Sequence, residues 1–172
     1  MLAGHTGNYA RFEIEKKYLL KSAPANLPRT FNDIEDLYLP DSSLRLRIVK
    51  SESGDVISRN LTKKDKSPEG DPSISIMTSL YLTERDLSAL GSLTGATIQK
   101  RRYIEGTERR RTSIDFFRGP FEGLILAEVE FKTTEDRDQY IPPDRGWVEV
   151  TGDPRYSCGY LSSAGRIPNP CC

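Results

Sequence analysis

Histidine is nearly missing from this chain: His5 is the single one in 172 residues, and it stands in a short lead-in ahead of the first patterned segment. Unless His5 folds back onto the core, that scarcity excludes most Ser–His and Cys–His schemes, which need an imidazole beside the nucleophile. Cysteine is almost as scarce. Cys158, Cys171 and Cys172 are odd in number and crowd the end of the chain, so they lay out neither a disulfide framework nor metal-ligand spacing. Such usage fits a reducing, cytoplasmic setting. No apolar run approaches the roughly 20 residues of a membrane span, and the first nine residues lack the apolar centre of a secretory signal. There is no P-loop and no GxGxxG fingerprint. Net charge is absent as well: 25 Lys and Arg balance 25 Asp and Glu, which argues against a protein that coats nucleic acid. Any chemistry has to come from carboxylates, Lys, Arg, Tyr and a metal ion.

What the chain has is alternation. Its length suits one domain with a real core over about 9–161, a lead-in at 1–8 and a loose tail at 162–172. Period-two patterning predicts strands over 9–20, 30–39, 43–49, 56–64, 73–82, 96–105, 109–117, 124–132 and 147–151. Thr83 reads as the cap of a helix running to 90, with Glu84 and Asp86 in the first turn, where the helix dipole favours acids. A helical turn is expected over 136–140, and Asp153-Pro154 should open a short helix through 160. Eight or nine short strands with hairpin-like links and little helix indicate an α+β, β-dominated fold built on an antiparallel barrel.

The segment Glu13-Ile-Glu-Lys-Lys17 organises the rest. As a strand it puts Glu13, Glu15 and Lys17 on one face. Two such carboxylates suit a hard cation, Mg²⁺ or Mn²⁺, and the lysine suits an anion held beside it. Similar faces recur: Arg45 and Arg47; Lys64; Lys100 and Arg102; Arg111 and Asp115; Glu128 and Glu130; Glu149. The opposite faces are mainly apolar, and acids and bases are segregated strand by strand. A solvated surface usually mixes signs along each strand, so the segregation favours charges turned into the barrel. There, acids would hold a cation while guanidinium and ammonium groups hold phosphate oxygens. Unpaired buried ions cost several kcal/mol each, so such an interior should be wet.

The ExExK run, followed in order by Leu44-Arg-Leu-Arg47, Thr62-Lys-Lys64, Lys100-Arg-Arg102, Asp115, Glu128-Val-Glu130 and Glu149-Val-Thr151, resembles the CYTH superfamily of triphosphate tunnel metalloenzymes, above all its short bacterial single-domain members. The resemblance spans about residues 9–161. It implies an eight-stranded antiparallel β-barrel forming a tunnel, with flanking helices and charges pointing inward. It also implies Glu13, Glu15 and Glu130 as metal ligands, with Glu128, Asp115 and Glu149 serving a second metal or orienting water. Lys17, Arg45, Arg47, Lys64, Lys100 and Arg102 would bind phosphates, with Tyr38 acting beside Lys100. The strand over 73–82 lacks the Arg and Glu often found there in relatives; either a basic contact is missing, or Arg111 or Arg109 replaces it.

The expected activity is Mg²⁺- or Mn²⁺-dependent hydrolysis of a small triphosphate, with inorganic tripolyphosphate favoured because no extra module for a base is visible. Within the same superfamily the alternatives are a class IV adenylyl cyclase, a thiamine-triphosphatase or a nucleoside triphosphatase. From another class, the alternative is a non-catalytic polyphosphate- or nucleotide-binding module. A base could stack on Tyr38, Tyr81 or Phe117, though each reads first as ordinary packing. Neither nucleic acid nor membrane is an expected partner, and the chain is expected to be a monomer or homodimer.

Overall fold

The protein is described from a computed structural model covering residues 9–143 and 146–168. Nine strands follow one another: β1 (Arg11–Leu20), β2 (Phe31–Tyr38), β3 (Leu44–Lys50), β4 (Val56–Lys66), β5 (Ile74–Tyr81), β6 (Ala96–Gly106), β7 (Arg110–Phe117), β8 (Ile125–Phe131) and β9 (Trp147–Glu149). All neighbouring pairs are antiparallel. The order β5-β4-β3-β2-β6-β7-β8-β1 closes on itself through β5 and β1, giving an eight-stranded barrel with β9 appended.

β1 is the seam. Along one edge it pairs with β8 from Ile14 to Leu19. Along the other, β5 takes Arg11 to Ile14, and β9 takes over from Tyr18 to Leu20. Between the two, the Glu15 amide donates to the Ser73 carbonyl at 2.8 Å and the Lys17 amide to Thr151 Oγ1 at 3.1 Å. The donors bared where β5 leaves are thus satisfied without a strand.

The two faces of the wall bury different things. On the outer face of β1, β7 and β8, Tyr18, Leu20, Ile114, Ala127, Val129 and Phe131 pack under Tyr140, Trp147 and Leu27. The inner face forms an apolar cluster at one end. There Leu19, Ile98, Phe117, Leu126 and Tyr38 meet Tyr156, Leu161, Cys158 and Val150 from the C-terminal segment. This cluster is the stopper at that end of the barrel, and the mouth is the opposite end.

The helices are short. α1 (Glu84–Ala89) starts at a capping box: Asp86 N donates to Thr83 Oγ1 at 3.2 Å, and Thr83 N donates to Asp86 Oδ2 at 2.8 Å. α2 (Thr134–Asp138) begins two residues before the predicted turn because Thr133, not a later residue, caps it. The helix expected from Asp153 divides in two. A 3-10 turn at Pro154–Tyr156 is followed by α3 (Cys158–Ala164), which Ser157 caps anew and which Gly165 ends at φ 65°. α3 therefore runs into the tail read from sequence as loose, because Leu161 is buried in the stopper. Gly95 admits no side chain: a Cβ would stand 2.1 Å from the Tyr38 carbonyl oxygen. Among the described residues no helix is long and apolar enough to cross a membrane. His5, Cys171 and Cys172 lie outside the described residues.

Candidate active site

Strand register settles which residues share the bore. Glu15 stands opposite Glu130, and Lys17 opposite Glu128. Glu128 and Glu130 stand opposite Ser113 and Arg111. Asp115 then faces Arg102, Ile98 faces Asp36, Asp36 faces Arg47, and Arg45 faces Thr62, two residues from Lys64. Paired residues point to the same side of a sheet, so the alternating charges read from sequence line one interior. Arg11 and Lys66 join them by the same registers. Nine bases and six acids then share the inward parity, and four of the bases, Arg11, Lys64, Lys66 and Arg111, are exposed to solvent.

Next to the stopper the charges are deeply paired. The Lys100 ammonium is 1% exposed and sits 2.6 Å from Asp115 Oδ2, over the Phe117 ring. Arg102 grips Asp115 with two hydrogen bonds, both 2.6 Å, and reaches Glu128 Oε2 at 2.6 Å. Lys17 Nζ holds the other oxygen of Glu128 at 3.1 Å. Burial pushes the Glu128 pKa up, but Lys17 and Arg102 outweigh it and hold the carboxyl well below the usual carboxylate range. Burial likewise works against the charge on Lys17, yet Glu128 and Glu15 keep its pKa above that of an ordinary lysine.

On the opposite wall is a residue the sequence reading passed over. Asp36 is fully buried, and Arg47 donates to both its oxygens at 2.6 and 2.7 Å. Arg45 lies 3.7 Å away. Burial raises the Asp36 pKa, but the Arg47 guanidinium brings it far below the ordinary value. The Nε of Arg45 is buried without a hydrogen-bond partner, a donor left for an anion in the bore.

Toward the mouth, Lys64 Nζ bridges Glu13 Oε2 at 2.6 Å and Glu15 Oε1 at 2.9 Å. Glu130 and the exposed Arg111 stand opposite each other on β8 and β7. β5 contributes only uncharged inward residues, among them Ser75, Met77 and Ser79, as its sequence foretold.

Three sequence-derived roles change. Glu149 is not in the bore. It stands opposite Tyr18, on the outer face, where it meets Lys16 at 3.6 Å and accepts from Thr151 Oγ1 at 2.8 Å. Asp115 accepts from Lys100 with one oxygen and from Arg102 with both, which makes it their counter-ion as it stands. Tyr38 packs in the apolar stopper, and among the described residues it makes no hydrogen bond to Lys100, whose ammonium goes to Asp115. Phe117 belongs to the same stopper, whereas Tyr81 stands opposite Asn60 on the inward parity and is exposed.

The remaining carboxylates, Glu13, Glu15 and Glu130, are hard oxygen donors of the kind Mg²⁺ and Mn²⁺ take, and the cross-strand pairing of Glu15 with Glu130 gathers them on one wall. The residues therefore fit a divalent cation in chemistry. As they stand, no three such side chains converge tightly enough to hold one among the described residues.

No family model matches the sequence, and neither does any curated protein. Solved structures do. The inorganic triphosphatase NE1496 is 25% identical, with a TM-score of 0.53 over 87% of this chain and 93% of that one. A candidate adenylate cyclase from Bacillus halodurans is 15% identical (TM-score 0.51; 79% of this chain, 95% of that one). The protein PH1819 from Pyrococcus horikoshii OT3 is 18% identical (TM-score 0.51; 73% and 81%). The last two show the fold alone. A barrel closed in this strand order, charged within and similar over almost its whole length to an inorganic triphosphatase, supports one structural conclusion: the chain has the CYTH-like triphosphate tunnel fold.

Proposed function

We propose that this protein is a divalent-metal-dependent triphosphatase that hydrolyses inorganic tripolyphosphate to pyrophosphate and phosphate. The observation that carries the reading is the cluster of inward bases on neighbouring strands, Lys17, Arg45, Arg47, Lys100 and Arg102, with an Arg45 Nε that makes no hydrogen bond among them. A naked polyanion is matched by those charges alone. The solved structure named as an inorganic triphosphatase lends support at the level of its own activity.

Glu13, Glu15 and Glu130 would hold Mg²⁺ or Mn²⁺, which when bound neutralises phosphate oxygens as a Lewis acid. Arg45, Arg47, Lys64 and Lys100 bind the phosphate chain, and Arg102 and Lys17 spread the charge of the transferred phosphoryl group. Arg111 receives the chain at the mouth. Glu128 accepts a hydrogen bond from the attacking water and aims it at the terminal phosphorus. The new P–O bond forms as the bridging P–O bond breaks, and pyrophosphate leaves with the bond's electron pair. Because Lys17 and Arg102 keep Glu128 acidic, the water's proton passes on to a phosphate oxygen and does not stay on the carboxylate.

The test is product analysis of the purified protein with Mg²⁺ or Mn²⁺, offered tripolyphosphate, ATP and thiamine triphosphate separately. Rapid phosphate release from tripolyphosphate, with little from the others, is the expected result. Cyclic AMP from ATP would overturn the assignment in favour of a cyclase. Tight tripolyphosphate binding without turnover would overturn it in favour of a binding module.

A further inference from the structure

The two carboxylates at the mouth already hold a cation, and it belongs to the protein. Lys64 stands on β4, one strand removed from β1. Its side chain crosses β5, whose inward residues there are Ser75 and Met77, and its ammonium bridges Glu13 at 2.6 Å and Glu15 at 2.9 Å. A divalent ion shared by Glu13 and Glu15 would need the same oxygens. Glu128, next along the bore, is likewise taken by Lys17 and Arg102. Lys64 differs from those two cations in its access to solvent: its side chain is 38% exposed, against 14% and 11% for Lys17 and Arg102. It is the one of the three with room to swing.

We propose that Lys64 is the resident counter-ion of the cation site: its ammonium closes over Glu13 and Glu15 when no divalent ion is present, withdraws when one enters, and moves to the phosphate side of the bore. Its new neighbours are set by register. Thr62, two residues back on β4, stands opposite Arg45, so a withdrawn Lys64 joins the wall that carries Arg45 and Arg47. Loading the cation then adds two positive charges at the carboxylates and frees a third for phosphate, making the two binding events mutually reinforcing. The inference rests on Glu13 and Glu15 as cation ligands, the reading given under Proposed function.

The experiment measures Mn²⁺ binding to the whole protein by calorimetry, with no phosphate present. It compares wild type, Lys64→Met, Lys64→Gln and Lys63→Met, each confirmed folded by its thermal transition. Lys63 is the control: it points outward to Asp65 at 2.6 Å. A clamp closed nine-tenths of the time weakens apparent affinity about tenfold. Both Lys64 variants should therefore bind Mn²⁺ about tenfold more tightly than wild type, with Lys63→Met unchanged. Equal or weaker binding by the Lys64 variants overturns the counter-ion role and leaves the cation site standing. An equal gain in Lys63→Met also overturns it, by showing a general charge effect. If Mn²⁺ binds none of the four proteins, or binds Lys64→Met undiminished after Glu15→Gln is added, the ligand assignment fails and the counter-ion role with it.

Discussion

Asp36 is where residue-level physics is sharpest. A carboxylate that is fully buried and gripped by a guanidinium cannot lose its charge without leaving Arg47 unpaired, and breaking such a pair typically costs about 3–5 kcal/mol. Its pKa is depressed in the folded protein. The unfolded chain therefore binds the proton first as acid is added. The stabilisation is fully present above the unfolded value of about 4 and is lost as the pH falls below it. Urea midpoints measured between pH 6 and 2.5 should fall steeply for wild type and more gently for Asp36→Asn, whose pair no longer titrates. Glu15→Gln tests a different property at the same scale: metal-dependent turnover should drop by about 100-fold or more while the thermal transition persists. Full activity would remove Glu15 from the site. The reasons these residues differ in legibility are physical. Glu13, Glu15 and Lys17 stand out because Phe12, Ile14 and Tyr18 alternate with them. Asp36 does not, because β2 carries acids on both faces, with Asp33 and Glu35 outside. The usable signal was its shared parity with Tyr38. Glu149 failed for the opposite reason: alternation orders residues within a strand but does not say which parity faces in, and three-residue β9 has too little pattern to tell.

At the scale of elements, the barrel strands were legible to within a residue or two because each runs at least seven residues between turn signals and most alternate cleanly. The C-terminal stopper was not, since a 3-10 turn and a short α3 hold their place through tertiary burial and not through propensity or period. That dependence is measurable. Leu161 is wholly buried in the stopper, and Leu161→Ala should lower unfolding stability by about 2–5 kcal/mol in urea denaturation. Gly95→Ala acts on the link from α1 to β6. A methyl group there meets the Tyr38 carbonyl oxygen, so β2 and β6 have to separate at that end. A fall in the thermal midpoint is expected, together with a loss of amide protection at Tyr38 and Ala96. A variant as stable as wild type would show that the loop shifts freely.

For the molecule as a whole, charge is gathered and not merely balanced. Inward bases and acids pair with one another in the bore while the total is zero, so a polyanion that enters finds guanidinium and ammonium groups already assembled on neighbouring strands. Tripolyphosphate at 100 times its dissociation constant should stabilise the fold by about 2.7 kcal/mol, a rise of roughly 5–10 °C in the thermal midpoint for a chain of this size. Measured in EDTA, so that only the protein's own cations act, that rise should shrink in Arg45→Ala and with added salt. Orthophosphate at equal concentration should give much less. A rise of the same size in Arg45→Ala would move the anion elsewhere.

The seam on β1 also bears on how the chain is made. β1 is made well before its partners on β8 and β9, which lie at Leu126–Phe131 and Trp147–Glu149. At about 5–20 residues per second, the strand waits several seconds to tens of seconds for these mates. During that wait its stretch beyond Ile14, which β5 does not cover, is an unpaired edge, the kind of segment that nucleates aggregation. Glu13, Glu15, Lys16 and Lys17 break what would otherwise be an apolar ribbon. Glu13, Glu15 and Lys17, which line the bore once the barrel closes, together with the outward Lys16 thus guard the nascent strand, and a variant that neutralises all four should be lost to inclusion bodies before its chemistry can be assayed.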